Sequence, residues 1–166
     1  MTNLHQVQTL ARYRMWADQL TFDAVAALPP GEATKQRPTL FKTMIGTLNH
    51  NYVIDLIWQA HLEGRDHGFK ARSVVLHEDL GDLWTAQKTI NQWYIDWSKA
   101  QSEESLAEVV RFAFIGGERG AMTRGDILLH VVNHATYHRG WVAEMFFQVP
   151  ARNPATDLPV FLGKVA

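Results

Sequence analysis

Apolar residues recur at spacings of three and four along four separate stretches of the chain, the period of helices with one buried stripe. The first stretch spans residues 3–28, where Leu4, Val7, Ala11, Met15, Asp18, Phe22 and Val25 share one line. Thr2 or Asn3 is placed to cap it, and Pro29-Pro30-Gly31 stops it. Tyr13, Trp16 and Leu20 form a second apolar strip suited to core packing. After a polar connection with three prolines, a second helix is expected from Leu40 to His61, with Gly46 small enough to admit a neighbouring helix. A third starts at the N-cap Asp79 and reaches Lys99, with Leu80, Leu83, Trp84, Gln87, Ile90, Tyr94 and Trp97 on its inward side. Residues 101–123 break the pattern. Weak alternation over 108–114, the turn signal Gly116-Gly117 and a return over 118–122 predict a short hairpin or an irregular excursion. Thr123 then caps the fourth helix, with Asp126 at the capping-box position, and that helix runs to about Gln148 before Pro150.

The fourth helix is apolar on two sides. Ile127, Val131, His134, His138, Trp141 and Met145 lie within roughly 40° of one line at ~100° per residue, and Leu128, Val132, Ala135, Val142, Phe146 and Val149 form another row. Such a helix is central or lies at a subunit interface. The tail, with Leu158, Val160, Phe161 and Leu162, is expected to pack across the bundle. The fold class predicted is therefore all-α, a four-helix bundle with a short excursion between the third and fourth helices, in a single domain over residues 1–166.

Composition narrows the chemistry. The 166 residues carry 16 basic and 17 acidic side chains, well mixed, for a formal charge of −1. No basic stripe marks a nucleic-acid surface. There is no cysteine, which removes disulfides, thiolate ligands and a cysteine nucleophile and leaves histidine and carboxylate as metal ligands. No apolar run has signal-peptide or membrane-spanning length, so a soluble cytoplasmic protein is the expectation.

Three of the eight histidines, His130, His134 and His138, are spaced four apart on the fourth helix. Residues at i and i+4 sit one turn apart and point the same way, which lets two rings grip one ion. His134 and His138 occupy the middle of the inward line, and His130 lies roughly 60° off it. A histidine on an apolar helix face is more often a core residue satisfied by neighbours, and the spacing by itself specifies no third ligand. A zinc-protease motif is excluded, because Ala135 follows His134 where that motif needs glutamate. On the second helix His50 faces inward among apolar and small residues. His61 is about 16 Å further along at ~1.5 Å per residue and reads as a helix-end or surface histidine, as His67 and His77 read as surface residues. Asp55 points away from His50 and suits a salt bridge.

The segments Tyr13-Arg-Met-Trp16-Ala17, Gly46-Thr-Leu-Asn49-His50 with Trp58 and Leu62-Glu63-Gly64, and His130-Val-Val-Asn133-His134-Ala-Thr-Tyr137-His138-Arg139-Gly140 occur in order along nearly the whole chain. In this the sequence resembles the DinB family of bacterial metal-binding four-helix bundles. The resemblance implies a three-histidine metal site of His50, His134 and His138, holding a divalent ion, zinc or nickel. It also implies a homodimer and a small-molecule substrate. Relatives often carry Gln where Trp141 stands and Glu where Ala135 stands. Characterised relatives include thiol S-transferases and a thiol-dependent isomerase, so a metal-dependent thiol transferase with a low-molecular-weight thiol cosubstrate is the leading expectation. A non-catalytic metal-binding or stress-response protein and a metal-dependent hydrolase are the alternatives. No catalytic residue is assigned. Each ligand ring needs a partner for its second nitrogen, and Asn49, Asn133, Tyr137 and His130 are near enough in sequence to serve. Tyr137 also reads as a packed helix residue, and Arg139 as a structural salt bridge, at a dimer contact in one version.

Overall fold

The computed structural model describes residues 3–165. Four long helices, α1 (Leu4–Ala26), α2 (Met44–Leu62), α3 (Leu80–Lys99) and α5 (Arg124–Phe146), form the bundle, with α1 against α3 and α5, and α2 against α5 and α3. Between α3 and α5 lie a five-residue helix, α4 (Glu103–Ala107), and an antiparallel hairpin of β1 (Val109–Ala113) and β2 (Arg119–Thr123) in the register Phe112↔Gly120. The excursion is thus a hairpin preceded by one helical turn that the sequence pattern did not reveal. Ser102 caps that turn through the amide of Ser105.

The ends of the helices follow their caps. Asn3 accepts a hydrogen bond from the Gln6 amide at 2.8 Å while the Gln6 side chain accepts from the Asn3 amide, a capping box. The other proposed cap, Thr2, lies outside the described residues. Thr123 caps α5 through the Asp126 amide. α2 starts at Met44, four residues later than the apolar pattern suggested. Lys42 has φ of 63°, a left-handed conformation that ends any helical run, and Thr43 accepts from the Gly46 amide at 2.8 Å. A side chain on Gly46 would run into the Phe41 carbonyl and come within 2.9 Å of the Thr43 hydroxyl. Gly46 therefore admits its own capping loop, and not a neighbouring helix as expected.

Both apolar rows of α5 turn into the chain's own interior, with His134 and Trp141 half-buried and the rest buried, as its central position in the bundle requires. The tail forms α6 (Leu158–Val165), where Phe161 is buried against Tyr13 and Trp16 and Val160 and Leu162 stay at the surface. The apolar core falls into two clusters. One gathers Val7, Trp58, Tyr94, Phe112, Ile127 and Val131; the other gathers Phe22, Val25, Met44, Leu83, Val142 and Met145. Along each long helix they occupy opposite ends, and a layer of buried polar residues separates them. No helix among the described residues is long and apolar enough to cross a membrane.

Candidate metal centre

The middle layer has two halves. On one side Arg14 of α1 is surrounded by carboxylates. Its Nε donates to Asp18 at 2.5 Å, its Nη1 and Nη2 donate to Asp55 at 3.2 and 2.7 Å, and Nη1 also reaches the Val131 carbonyl at 3.2 Å. Asp55 further accepts from Gln87 at 2.7 Å, and Asp18 from Asn91 at 2.9 Å and Arg139 at 3.1 Å. Arg139 also donates to the Tyr13 hydroxyl. Burial pushes the Asp55 carboxyl up to about 6 against the pull of Arg14 and Gln87, leaving it a carboxylate at neutral pH. Asp55 and Arg139 thus have the salt-bridging roles expected of them, and Arg139 is buried inside the chain rather than at a dimer contact.

On the other side His50 of α2 meets His134 and His138 of α5, one ring nitrogen from each lying within 4.8 Å of the others. The ring centroids are 4.5 to 5.0 Å apart. His50 Nδ1 is 2.8 Å from the Arg72 carbonyl, which can only accept, so Nδ1 carries the proton and Nε2 presents its lone pair. That Nε2 lies 3.3 Å from Nε2 of His134. A tetrahedral ion with bonds of about 2.0–2.1 Å holds its ligand nitrogens at ~3.3–3.4 Å from one another, so this pair already has the bite of such a site. His138 Nδ1 is buried without a hydrogen-bond partner among the described residues, a costly state for a polar atom unless a ligand uses it or reorganises the ring.

The protonation of the cluster suits a cation. Burial lowers the His134 imidazolium to about 2, with the rings of His138, His50 and His130 and then Arg14 adding to the effect. His138 is lowered to about 4, by burial first and then by His50. His50 is lowered by burial, against the hydrogen bond to Arg72. At neutral pH all three are uncharged nitrogen donors, the form that binds metal. Three such donors without a carboxylate or thiolate form a set that can hold a divalent ion of intermediate softness.

Orientation of the rings comes from residues that the sequence did not single out. Because α2 begins late, Phe41 lies in the capping loop and stacks on His50 with centroids 4.2 Å apart, edge-on to His138 at 5.5 Å and beside Trp141. Thr43 and Gly46, three residues apart, are the sequence signal that would have moved the helix start and exposed this. Among the described residues, the Asn49 side chain hydrogen-bonds to none of the three rings. It donates to the carbonyls of Ile45 and His77 and accepts from the amides of Leu76 and His77, which pins the loop carrying Arg72. Nothing in the sequence marks Arg72, whose partner role uses only its main chain. Tyr137, read as a packed residue, is 60% exposed and leans on His138 and Trp141 at the rim. Asn133 is exposed. His130 packs on Trp58, 5.8 Å from the His134 ring.

Two cavities open on the cluster. The inner one, of about 350 Å³, is walled by Ile54, Ile57 and Trp58 and roofed by Phe114 and Ile115 at the hairpin tip. His61, at the end of α2 as one of the two expected readings had it, lines it too, half-buried against Trp58 and Phe112. The outer one, of about 620 Å³, is bounded by Leu40, Phe41, Tyr137 and Trp141. His134, Arg72 and Ile115 line both.

The comparisons with known proteins bear on the family. The model of the DinB family matches residues 1–164. The protein named Protein DinB of Bacillus subtilis (strain 168) is 26% identical over 162 residues, an alignment that covers 92% of this chain and 91% of that protein. The chain belongs to the DinB family.

Proposed function

We propose that this protein is a metal-dependent enzyme of the thiol S-transferase type, in which His50, His134 and His138 hold one divalent ion, zinc or nickel, beside a small-molecule thiol and its electrophilic acceptor. The observation that carries this reading is the pair of cavities meeting at His134. A purely structural site is closed by four protein ligands, whereas a catalytic site keeps positions open. Here three donors border room for two reactants. An ion held there would supply Lewis acidity, lowering the pKa of a thiol brought to it. The chain's own residues supply the rest. His50 is held in the lone-pair-presenting tautomer by the Arg72 carbonyl, Phe41 and Trp141 pack against the rings, and Ile54, Ile57 and Trp58 of the inner cavity offer apolar walls to the body of the acceptor. With no cysteine in the chain, the thiol comes from outside.

Hydrolysis by bound water keeps a foothold in one residue. Glu118 lines the inner cavity together with His134, which gives that reading a carboxylate near the site. We also take the functional unit to be a homodimer in the cytoplasm, as family resemblance implies; sedimentation velocity of untagged protein reads the first point directly.

The test is elemental mass spectrometry on untagged protein purified without chelator, for wild type and His50→Ala. About one zinc or nickel per chain, lost in the variant, is expected. The loaded protein is then assayed with small thiols and a chromogenic electrophile, and with an activated ester in place of both. Thiol consumption that follows metal content supports the transferase. Ester cleavage lost in Glu118→Gln would transfer the assignment to hydrolysis, and absence of metal in wild type after incubation with zinc or nickel would remove both.

A further inference from the structure

Arg72 sits where the two cavities meet. It lines both of them, its carbonyl orients His50, and its guanidinium is close enough to His50 to disfavour the charged ring. Most arginines near the bundle's centre are spoken for: Arg14 and Arg139 are paired with Asp18 and Asp55, and Arg37 with Glu32. The Arg72 side chain makes no ion pair or hydrogen bond among the described residues. Its loop is nonetheless anchored, through the three hydrogen bonds between Asn49 and residues Leu76 and His77. A fork of unused donors is thus carried on a pinned loop, beside a chamber with two aromatic walls, Trp58 and Phe114, whose lining also includes the Glu118 carboxylate, so the anion is placed on the Arg72 side and the apolar body between the rings.

We propose that Arg72 and the inner chamber form a subsite for an anionic ligand with an apolar, planar body, the body between Trp58 and Phe114 and a carboxylate or similar anion on the guanidinium. This rests on reading the two cavities as a substrate site, though not on the presence of the metal. The planar guanidinium fits a carboxylate with two parallel, charge-assisted hydrogen bonds. The volume of about 350 Å³ lies at the small end of ligand cavities, which suits a one- or two-ring compound. The anion is borne either by the acceptor or by the thiol cosubstrate, and the guanidinium at the divide can serve either.

The experiment uses full-length protein and two probes of equal size, 2-naphthoate and its neutral counterpart 2-naphthalenemethanol, measured by isothermal titration calorimetry. It is run on chelator-stripped and on zinc-loaded protein. Stripped wild type should bind the carboxylate about ten-fold more tightly than the alcohol at low salt, a ratio that shrinks as salt rises. Arg72→Gln keeps the main-chain carbonyl that orients His50, so zinc uptake should match wild type while the ratio falls to about one. Phe114→Ala, on the exposed hairpin tip, should weaken both probes by a similar factor. A preference for the carboxylate that survives Arg72→Gln, or probe affinities unmoved by Phe114→Ala, would overturn the subsite. Failure of wild type to take up zinc, with the Arg72-dependent ratio intact, would overturn the metal reading and leave the subsite standing. In zinc-loaded protein, displacement of naphthoate by 3-mercaptopropionate but not by 3-mercaptopropanol assigns the anion to the thiol; simultaneous binding of both assigns it to the acceptor.

Discussion

Two clusters of buried polar groups share the middle layer of this bundle, one drawn from all four long helices and the other from α2 and α5 alone, and they are finished to different degrees. Around Arg14, Asp18 and Asp55, opposite charges face each other and Gln87, Asn91 and Arg139 complete the carboxylate oxygens. Around His50, His134 and His138, like groups face each other. Two Nε2 atoms stand 3.3 Å apart, and a buried Nδ1 has no partner. A closed polar network specifies how helices pack and needs nothing from outside. An open one, of nitrogens that cannot all satisfy each other, stores an unmet need that a cation answers. Burial alone therefore does not separate a structural polar cluster from a binding site; the balance of donors and acceptors does.

The comparison breaks most visibly at Asp55. Asp55→Ala leaves Arg14 buried with one carboxylate fewer and should cost about 3–5 kcal/mol in urea unfolding, in metal-free protein as much as in loaded protein. His134→Ala should do the reverse. It should weaken zinc binding by at least about 100-fold, measured against a chromophoric chelator, while metal-free stability changes by less than about 1 kcal/mol. A His134→Ala variant that unfolds like Asp55→Ala would place the histidines in the same structural class as the network.

Acid sharpens the contrast, because the two clusters respond with opposite signs. Folded His134 and His138 take up protons only near 2 and 4, whereas an unfolded histidine does so near 6.5. From 6.5 down to about 4 the unfolded chain thus binds more protons, and metal-free stability falls. Asp55 protonates near 6 when folded and near 3.8 when unfolded, so within that window it offsets part of the fall. Urea unfolding between pH 7 and 4.5 should show a net loss for metal-free wild type and a shallower one for His134→Ala. The smallest effect belongs to Phe41. Replacing it with leucine removes the stack on His50, worth about 0.5–1.5 kcal/mol, and should weaken zinc binding by a few-fold in the same competition assay with little change in unfolding.

The four helices, the place of the hairpin and the inward direction of His50, His134 and His138 were legible in the sequence, because each follows from a period of 3.6 residues and from local caps that need no distant partner. The candidate ligand set came through family resemblance, since spacing joined His134 to His138 but nothing local joined either to His50, 84 residues away. The position of Phe41 turned on whether Lys42 continued a helix or left it, and the capping loop holds Lys42 in a left-handed conformation that no local preference of lysine announces. Asn49 looked like a partner for a histidine ring and proved to be the anchor of the loop 72–77, because a side-chain amide bonds whichever backbone the tertiary structure brings to it. The same holds for Arg72, whose carbonyl and guanidinium acquire their roles only when a loop without periodicity is folded over α2. Sequence by itself determined which faces of the helices are apolar and which residues can serve as ligands, since these depend on residue type and local geometry. Tertiary structure alone decided which polar groups close on one another and which stay open, since that balance is struck between residues far apart along the chain.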